Sequence, residues 1–193
     1  METDVLLRSH SVTRWLISFA CDCYEIILNF VKKEALNMNH ETMTAADYLN
    51  SLATDIHATV VSTVDADNKP QSRIIDTLYA KDGKLYFTTG KTKDFYAQLQ
   101  DNPNLAMTGL KGEETLKSFA ITVNGEVRDA GTDLMPEIFE AYPYLNTIYP
   151  TDEKKAQLRV MEVYTGTVSI YDLRETPIYQ NTLAFGESAG QNS

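Results

Sequence analysis

Cysteine is nearly missing from this chain: two residues, Cys21 and Cys23, among 193. That is too few for a disulfide framework, and one intervening residue suits neither a zinc site nor a thioredoxin-type pair. Such usage fits a reducing cytosol. Basic charge is short as well, 17 Lys and Arg against 27 Asp and Glu, for a net charge of -10 and a pI near 4.7. Nucleic-acid and anionic-membrane binders rely on clustered Lys and Arg, so both classes are excluded and any anion site has to be local. The three histidines, His10, His40 and His57, are scattered, and no transition-metal site is expected. No glycine fingerprint for a dinucleotide follows a strand pattern. Gly90-Lys91-Thr92 looks like the end of a Walker loop, but that loop needs glycine at position 85, where Leu85 stands.

Long apolar runs are also absent. The nearest, Trp15 to Val31, is broken by Asp22 and Glu25, whereas a spanning helix wants about 20 nearly uncharged residues. Arg8 and Arg14 precede it as in a signal peptide, yet no small-x-small cleavage site follows. Neither a membrane span nor export is expected. Residues 1–37 read as an N-terminal extension, either an extra helix or translated upstream sequence, and residues 38–193 as one domain.

From Thr44 the pattern is orderly. Thr44 and Asp47 have capping-box spacing, and Ala46, Leu49, Leu52 and Ala53 give a helical apolar face through about Ile56. Residues 57–65 are β-branched and stop at a polar turn with Pro70, so they predict a strand. A second strand over 71–80 meets Lys81-Asp82-Gly83-Lys84, a hairpin signal, and a third spans 85–89. Strands follow at 105–110, 117–130 and 158–173, with a helix at 133–142 and a Tyr/Pro-rich segment at 142–151. Six strands joined mainly by hairpins predict a mainly-β α+β fold, an antiparallel barrel with flanking helices; a doubly wound sheet needs helices between most strands.

One stretch concentrates chemistry. In KLYFTTGKTKDFYAQLQDNP, residues 84–103, a strand runs through Thr88, Thr89, Gly90, Lys91, Thr92 and Lys93 into a helix closed by Asn102-Pro103. A helix start offers unpaired N–H groups and a favourable dipole, and threonine hydroxyls and lysine ammoniums add donors and charge for a phosphate. The competing reading has Thr92 capping the helix and both lysines solvated. Arg73, near the start of the strand that hairpins into 85–89, is a second cation that adjacent strands would bring towards this cluster, suited to bidentate phosphate contact or to an edge ion pair. His57 reads as structural or surface. The aromatic segment Tyr142-Pro143-Tyr144 with Tyr149-Pro150 is either a lid over a planar cofactor or packing against the barrel.

The strings HATVVSTVDADNKPQSRIID, LYFTTGKTKDFYAQLQDNPNLAMTGL and FAITVNGEV resemble the pyridoxamine 5'-phosphate oxidase-like, FMN-binding split-barrel family. The resemblance implies a six-stranded antiparallel split barrel and a homodimer with FMN in the subunit interface. It implies that Arg73 meets the FMN phosphate, that the backbone of Ile74 and Ile75 runs along the isoalloxazine ring, and that Thr88 and Thr89 lie beside flavin and ribityl chain. Lys91, Thr92 and Lys93 match the loop around the phosphate, with Lys93 foremost. Pyridoxamine phosphate oxidases proper carry an Arg-x-His pair and a Trp near the C-terminus. Here Glu175 and Thr176 follow Arg174, and no Trp follows Trp15. The implied function is a cytoplasmic FMN-dependent oxidoreductase in which a small substrate or a nicotinamide delivers hydride to flavin N5. No catalytic side chain is identified, because the chemistry is the cofactor's. A non-catalytic flavin-binding or stress-related protein, or a barrel holding haem or a deazaflavin, is the competing class.

Overall fold

The computed structural model describes residues 39–56, 58–76 and 78–186. The chain divides into two compact units, Met1–Thr42 and Met43–Ser193. Of the first, residues 39–42 are described: they form a turn in which the Thr42 N–H donates to the Asn39 carbonyl at 3.1 Å. The expected extension, with Cys21, Cys23 and His10, lies outside the described residues, as does His57.

The second unit opens with α1, Ala45–Ser51. Its capping box is the one expected: the Thr44 N–H donates to Asp47 Oδ2 at 2.8 Å, and the Asp47 N–H donates to Thr44 Oγ1 at 3.3 Å. These bonds hold the Asp47 carboxyl below its usual value, the Thr44 backbone N–H being the main cause. Tyr48, Leu49 and Leu52 are fully buried, while Ala46 faces solvent. A π-turn, Leu52–Ile56, continues the helix and buries Ala53 and Ile56.

Eight strands follow, among the described residues: β1 Thr59–Val64, β2 Pro70–Ile75, β3 Leu78–Lys81, β4 Lys84–Gly90, β5 Asn104–Lys111, β6 Phe119–Asp129, β7 Leu158–Asp172 and β8 Tyr179–Gly186. Helix α2, Asp94–Asp101, lies between β4 and β5; α3 Met135–Ala141, α4 Leu145–Ile148 and α5 Asp152–Lys155 lie between β6 and β7. All pairings are antiparallel. The strand order is β2-β1-β5-β6-β7-β4-β3, with β8 paired to β7.

That order forces the sheet to curl. β2 and β3 stand at opposite ends of it, six interstrand spacings apart, roughly 29 Å in a flat sheet. Yet Ile75 and Leu78 are three residue steps apart, which span at most about 11 Å. The ends must therefore come together without pairing, and the result is a split barrel. The expected count of six strands is corrected to eight for two reasons. The segment 71–80 pairs first with β1 and then with β4, so it is two strands; and β8, in the C-terminal tail, pairs with the second half of β7. The hairpin β3–β4 turns at Asp82 and Gly83, with φ of 51° and 72°, the left-handed pair a two-residue turn requires.

Each strand alternates between the two faces. One inward row runs Val61, Met107, Val123, Val168 and Leu183 across β1, β5, β6, β7 and β8, and the first four of these are buried. On β2 the same row ends in Arg73, the partner of Val61. Two of the outward rows are Ile74, Val60, Thr108, Thr122, Ser169, Thr182 and Ser72, Ser62, Ala106, Asn124, Thr167, Ala184. Neither contains a charge; the row beyond the second carries Glu126.

Candidate functional site

Arg73 stands at the end of an otherwise apolar inward row, and a half-buried guanidinium needs acceptors. It donates from Nη1 to Thr63 Oγ1 at 2.6 Å and from Nη2 to Gln98 Oε1 at 2.8 Å. Thr63 Oγ1 in turn donates to Gln98 Oε1 at 2.6 Å. The guanidinium carbon lies 4.4 Å from the centroid of the Phe95 ring, and Phe95 stacks on Phe87 of β4 at 5.5 Å. Burial lowers the pKa of Arg73, though arginine stays charged in proteins. Its partners are a hydroxyl, an amide and a ring. Among the described residues Lys69, Lys81, Lys84, Lys117, Arg128, Arg159 and Arg174 each hold a carboxylate; Arg73, Lys91, Lys93, Lys111, Lys154 and Lys155 do not, and of these only Arg73 has side-chain hydrogen bonds in a half-buried setting to other elements of the fold.

The strand-to-helix junction lies against this cation. Phe95 and Gln98 are three apart on α2 and so share one of its faces, and Lys93 is the N-cap of that helix, without a side-chain cap bond. Thr92 does not cap it. That half of the alternative reading is corrected; its other half, both lysines in solvent, agrees with the structure, where Lys91, Thr92 and Lys93 are exposed around an open helix start. The Lys91 N–H is taken by the Gln157 carbonyl at 2.8 Å and the Lys93 N–H by the Gly90 carbonyl at 3.1 Å. The Lys93 stem lies along Gly90: a methyl there would meet its Cγ at 3.6 Å and its Cε at 3.7 Å, ordinary contact.

Thr89, on the same face of β4 as Leu85 and Phe87, is 4% exposed, and its Oγ1 is buried without a hydrogen-bond partner among the described residues. Thr88 faces the other way, half-buried opposite Val160. Ile74 points outward and is 70% exposed, while Ile75, half-buried, pairs with Thr59. Both belong to β2, which among the described residues pairs only with β1, so one row of its backbone N–H and C=O groups is unpaired by the described sheet.

The eight expected residues therefore divide. Arg73 reaches the helix that follows Lys91, Thr92 and Lys93, but not by the expected route: β2 does not pair with β4, and α2 makes the connection by bridging the curled sheet. Thr88 and Thr89 are on opposite faces, as are Ile74 and Ile75. Thr63, Phe95 and Gln98 escaped the sequence reading; the i, i+3 pair on α2 is the signal that points to the last two.

Two neighbouring features do not join this corner. The aromatic segment packs on the outer face of the barrel, where Tyr86, Ile138, Leu145 and Val160 form a cluster covered by Tyr142 and Tyr149, and the Tyr142 hydroxyl donates to the Leu78 carbonyl. Glu162 is buried between Lys84 and Arg128, each at 2.6 Å. Burial pushes its carboxyl up, but the bonds from Arg128 and Lys84 outweigh this and leave it below its usual value.

An antiparallel split barrel with a cationic corner at the start of its second helix defines the class. The family model described as "Pyridoxamine 5'-phosphate oxidase" matches residues 46–171, and the chain belongs to that family. No curated protein matches its sequence. Among solved structures it is similar to a NimC/NimA family protein of Clostridium acetobutylicum, 21% identical with a TM-score of 0.57, covering 69% of this chain and 88% of that one. A haem-binding protein of Mycobacterium smegmatis is 12% identical with a TM-score of 0.57, covering 72% and 57%. General Stress Protein 26 of Bacillus anthracis is 17% identical with a TM-score of 0.50, covering 74% and 100%. These likenesses are of fold. No helix among the described residues is long and apolar enough to cross a membrane.

Proposed function

We propose that the protein binds FMN and acts as an FMN-dependent oxidoreductase on a small substrate, as a homodimer in the cytosol with the cofactor in the subunit interface. The observation that carries this is Arg73: a half-buried guanidinium without a carboxylate, set against Phe95 and Gln98 of α2, the helix whose N-cap is Lys93, in a chain of net charge -10. A half-buried cation left without a counter-charge in an acidic protein is explained by an anion that arrives from outside. The residues present fit FMN. Arg73, Lys91, Thr92 and Lys93 would hold the phosphate, the orphan Thr89 hydroxyl would stand beside the ribityl chain, which Thr88, on the opposite face of β4, would not reach, and the unpaired edge of β2 offers the N–H of one of Ile74 and Ile75 to the flavin ring. When bound, FMN supplies hydride-transfer chemistry at N5. The chain's own part is to neutralise the phosphate and orient the ring.

Pyridoxamine phosphate is not favoured as substrate. Arg174 is committed to buried Asp172, with Nε to Oδ1 at 2.8 Å and Nη2 to Oδ2 at 2.5 Å, and lies over Phe119. An absorption spectrum with cofactor extraction is the first test: a flavin spectrum releasing FMN is expected. A preparation that stays colourless after incubation with FMN refutes the proposal. With FMN bound, stopped-flow mixing with NADH or NADPH should bleach the flavin faster than free FMN; bleaching at the free rate assigns the protein to flavin storage or sensing.

A further inference from the structure

We infer that Gln98, with Thr63, is the positioning residue of the anion grip: it fixes the plane of the Arg73 guanidinium while leaving its charge for a phosphate monoester. This rests on the phosphate reading of the same corner. Arg73, Thr63 and Gln98 close a ring of hydrogen bonds of 2.6, 2.8 and 2.6 Å. Gln98 Oε1 accepts from both other members, which fills its two lone pairs, and Thr63 Oγ1 accepts one bond and donates another. Of the five N–H donors of a guanidinium, two are taken and three remain. The ring plane is set from a third side by Phe95, itself backed by Phe87. Arg73 therefore has a fixed orientation and spare donors, the arrangement that bidentate recognition of phosphate requires.

The amide is the informative choice. A carboxylate at position 98 has the same shape and accepts the same bonds, but it neutralises Arg73 internally and closes the corner to an anion. The chain has 27 Asp and Glu, and α2 itself carries Asp94 and Asp101. At the one position of α2 that bonds Arg73 it carries a neutral acceptor. Because Lys93 caps the same helix, α2 carries both the group that orients Arg73 and the lysine expected on the other side of the phosphate.

The test compares dissociation constants for FMN and for riboflavin, which lacks the phosphate, by flavin fluorescence quenching. It uses the full-length wild-type chain and the variants Gln98→Glu, Gln98→Met and Arg73→Ala. The ratio of the two constants isolates the phosphate contribution, whereas a packing defect weakens both flavins alike. Gln98→Glu should lower the FMN preference at least tenfold with riboflavin binding unchanged. Gln98→Met, which keeps the shape but removes the acceptor, should lower it threefold to tenfold, and it carries the test if the glutamate variant does not fold. Wild-type preference in both Gln98 variants, with preference lost in Arg73→Ala, overturns the inference and leaves the phosphate grip standing. An equal loss for both flavins assigns Gln98 to packing and also overturns it. Unchanged preference in Arg73→Ala refutes the phosphate reading and the inference with it.

Discussion

On the FMN proposal, Thr89 is a side chain that gives up stability for binding. Its hydroxyl is buried and unpartnered, a state that costs about 1–3 kcal/mol. Thr89→Val keeps the shape and removes the orphan, so the flavin-free protein should melt a few degrees higher, given about 2–4 °C per kcal/mol for a chain of this size. The same variant should bind FMN roughly twofold to tenfold more weakly, the worth of one neutral hydrogen bond; calorimetry and a flavin titration on one sample give both numbers. A melting point that does not rise shows that the hydroxyl already has a partner. Glu162 is the opposite case, a buried carboxylate with two cations on it. Its folded pKa lies below the ordinary value of 4.5, so its contribution is fully present above that value and is lost as pH falls through the folded pKa. Glu162→Gln should therefore destabilise the protein near neutral pH by about 1.5–3 kcal/mol. The two stabilities should converge as pH falls below 4.5 and through the folded pKa, and a pH-independent difference contradicts this assignment.

Among the elements, α1 tests whether local signals read from sequence carry their usual energy. Its capping box is complete, and Thr44→Ala should cost about 1 kcal/mol without altering FMN affinity, because α1 contributes no residue to the Arg73 corner. A denaturant titration measures the first and a flavin titration the second; a change in affinity would tie α1 to the site. The box, the Asp82-Gly83 hairpin and the stop at Asn102-Pro103 were legible because each depends on a few adjacent residues. The break between β2 and β3 was not. Between Arg73 and Ala80 only Asp76 interrupts the β-branched and aromatic pattern; one polar residue does not announce a change of partner, and the division follows from which strands accept the two halves, a long-range property of the closing sheet. Arg73 stands out in the sequence as a cation, but for the same reason the neighbour expected for it, the strand at 85–89, is not the one it has. Its contact with Thr63 is a diagonal one to the paired strand β1, whereas those with Phe95 and Gln98 reach α2, which follows β4 at the far side of the strand order and meets β2 through the curl of the sheet. β8 was passed over because its alternation is weak: Tyr179, Asn181, Leu183 and Phe185 share a face, and of these only Phe185 is buried.

At the scale of the whole molecule, the unusual surface is the outer face of the sheet. Two rows of six residues each cross it without a charge, in a chain where 23% of residues are charged. Their polar members are largely paired with one another: Ser62 with Ser72 at 2.9 Å, Thr108 with Thr122 at 3.1 Å, and Ser169 with Thr182 at 2.9 Å. Val60, Ile74, Leu110 and Tyr171 are exposed on the same side. A face of small, mutually satisfied hydroxyls and apolar side chains loses little on desolvation, and depletion of charge is the compositional mark of an interface core. Two copies meeting through such a face bury the same patch twice, as two-fold symmetry demands. Thr122 lies near its centre, and Thr122→Arg would place an unpaired guanidinium against its own symmetry mate, a burial that costs several kcal/mol. Sedimentation velocity should therefore report a dimer for the wild-type chain and a monomer for this variant, with circular dichroism unchanged because the position faces away from the core. If the flavin sits between subunits, the monomer should also retain it poorly although Arg73, Lys93 and Gln98 are untouched. A monomeric variant that holds FMN as tightly as the wild type places the cofactor wholly within one chain, and a dimeric variant moves the subunit contact to another face.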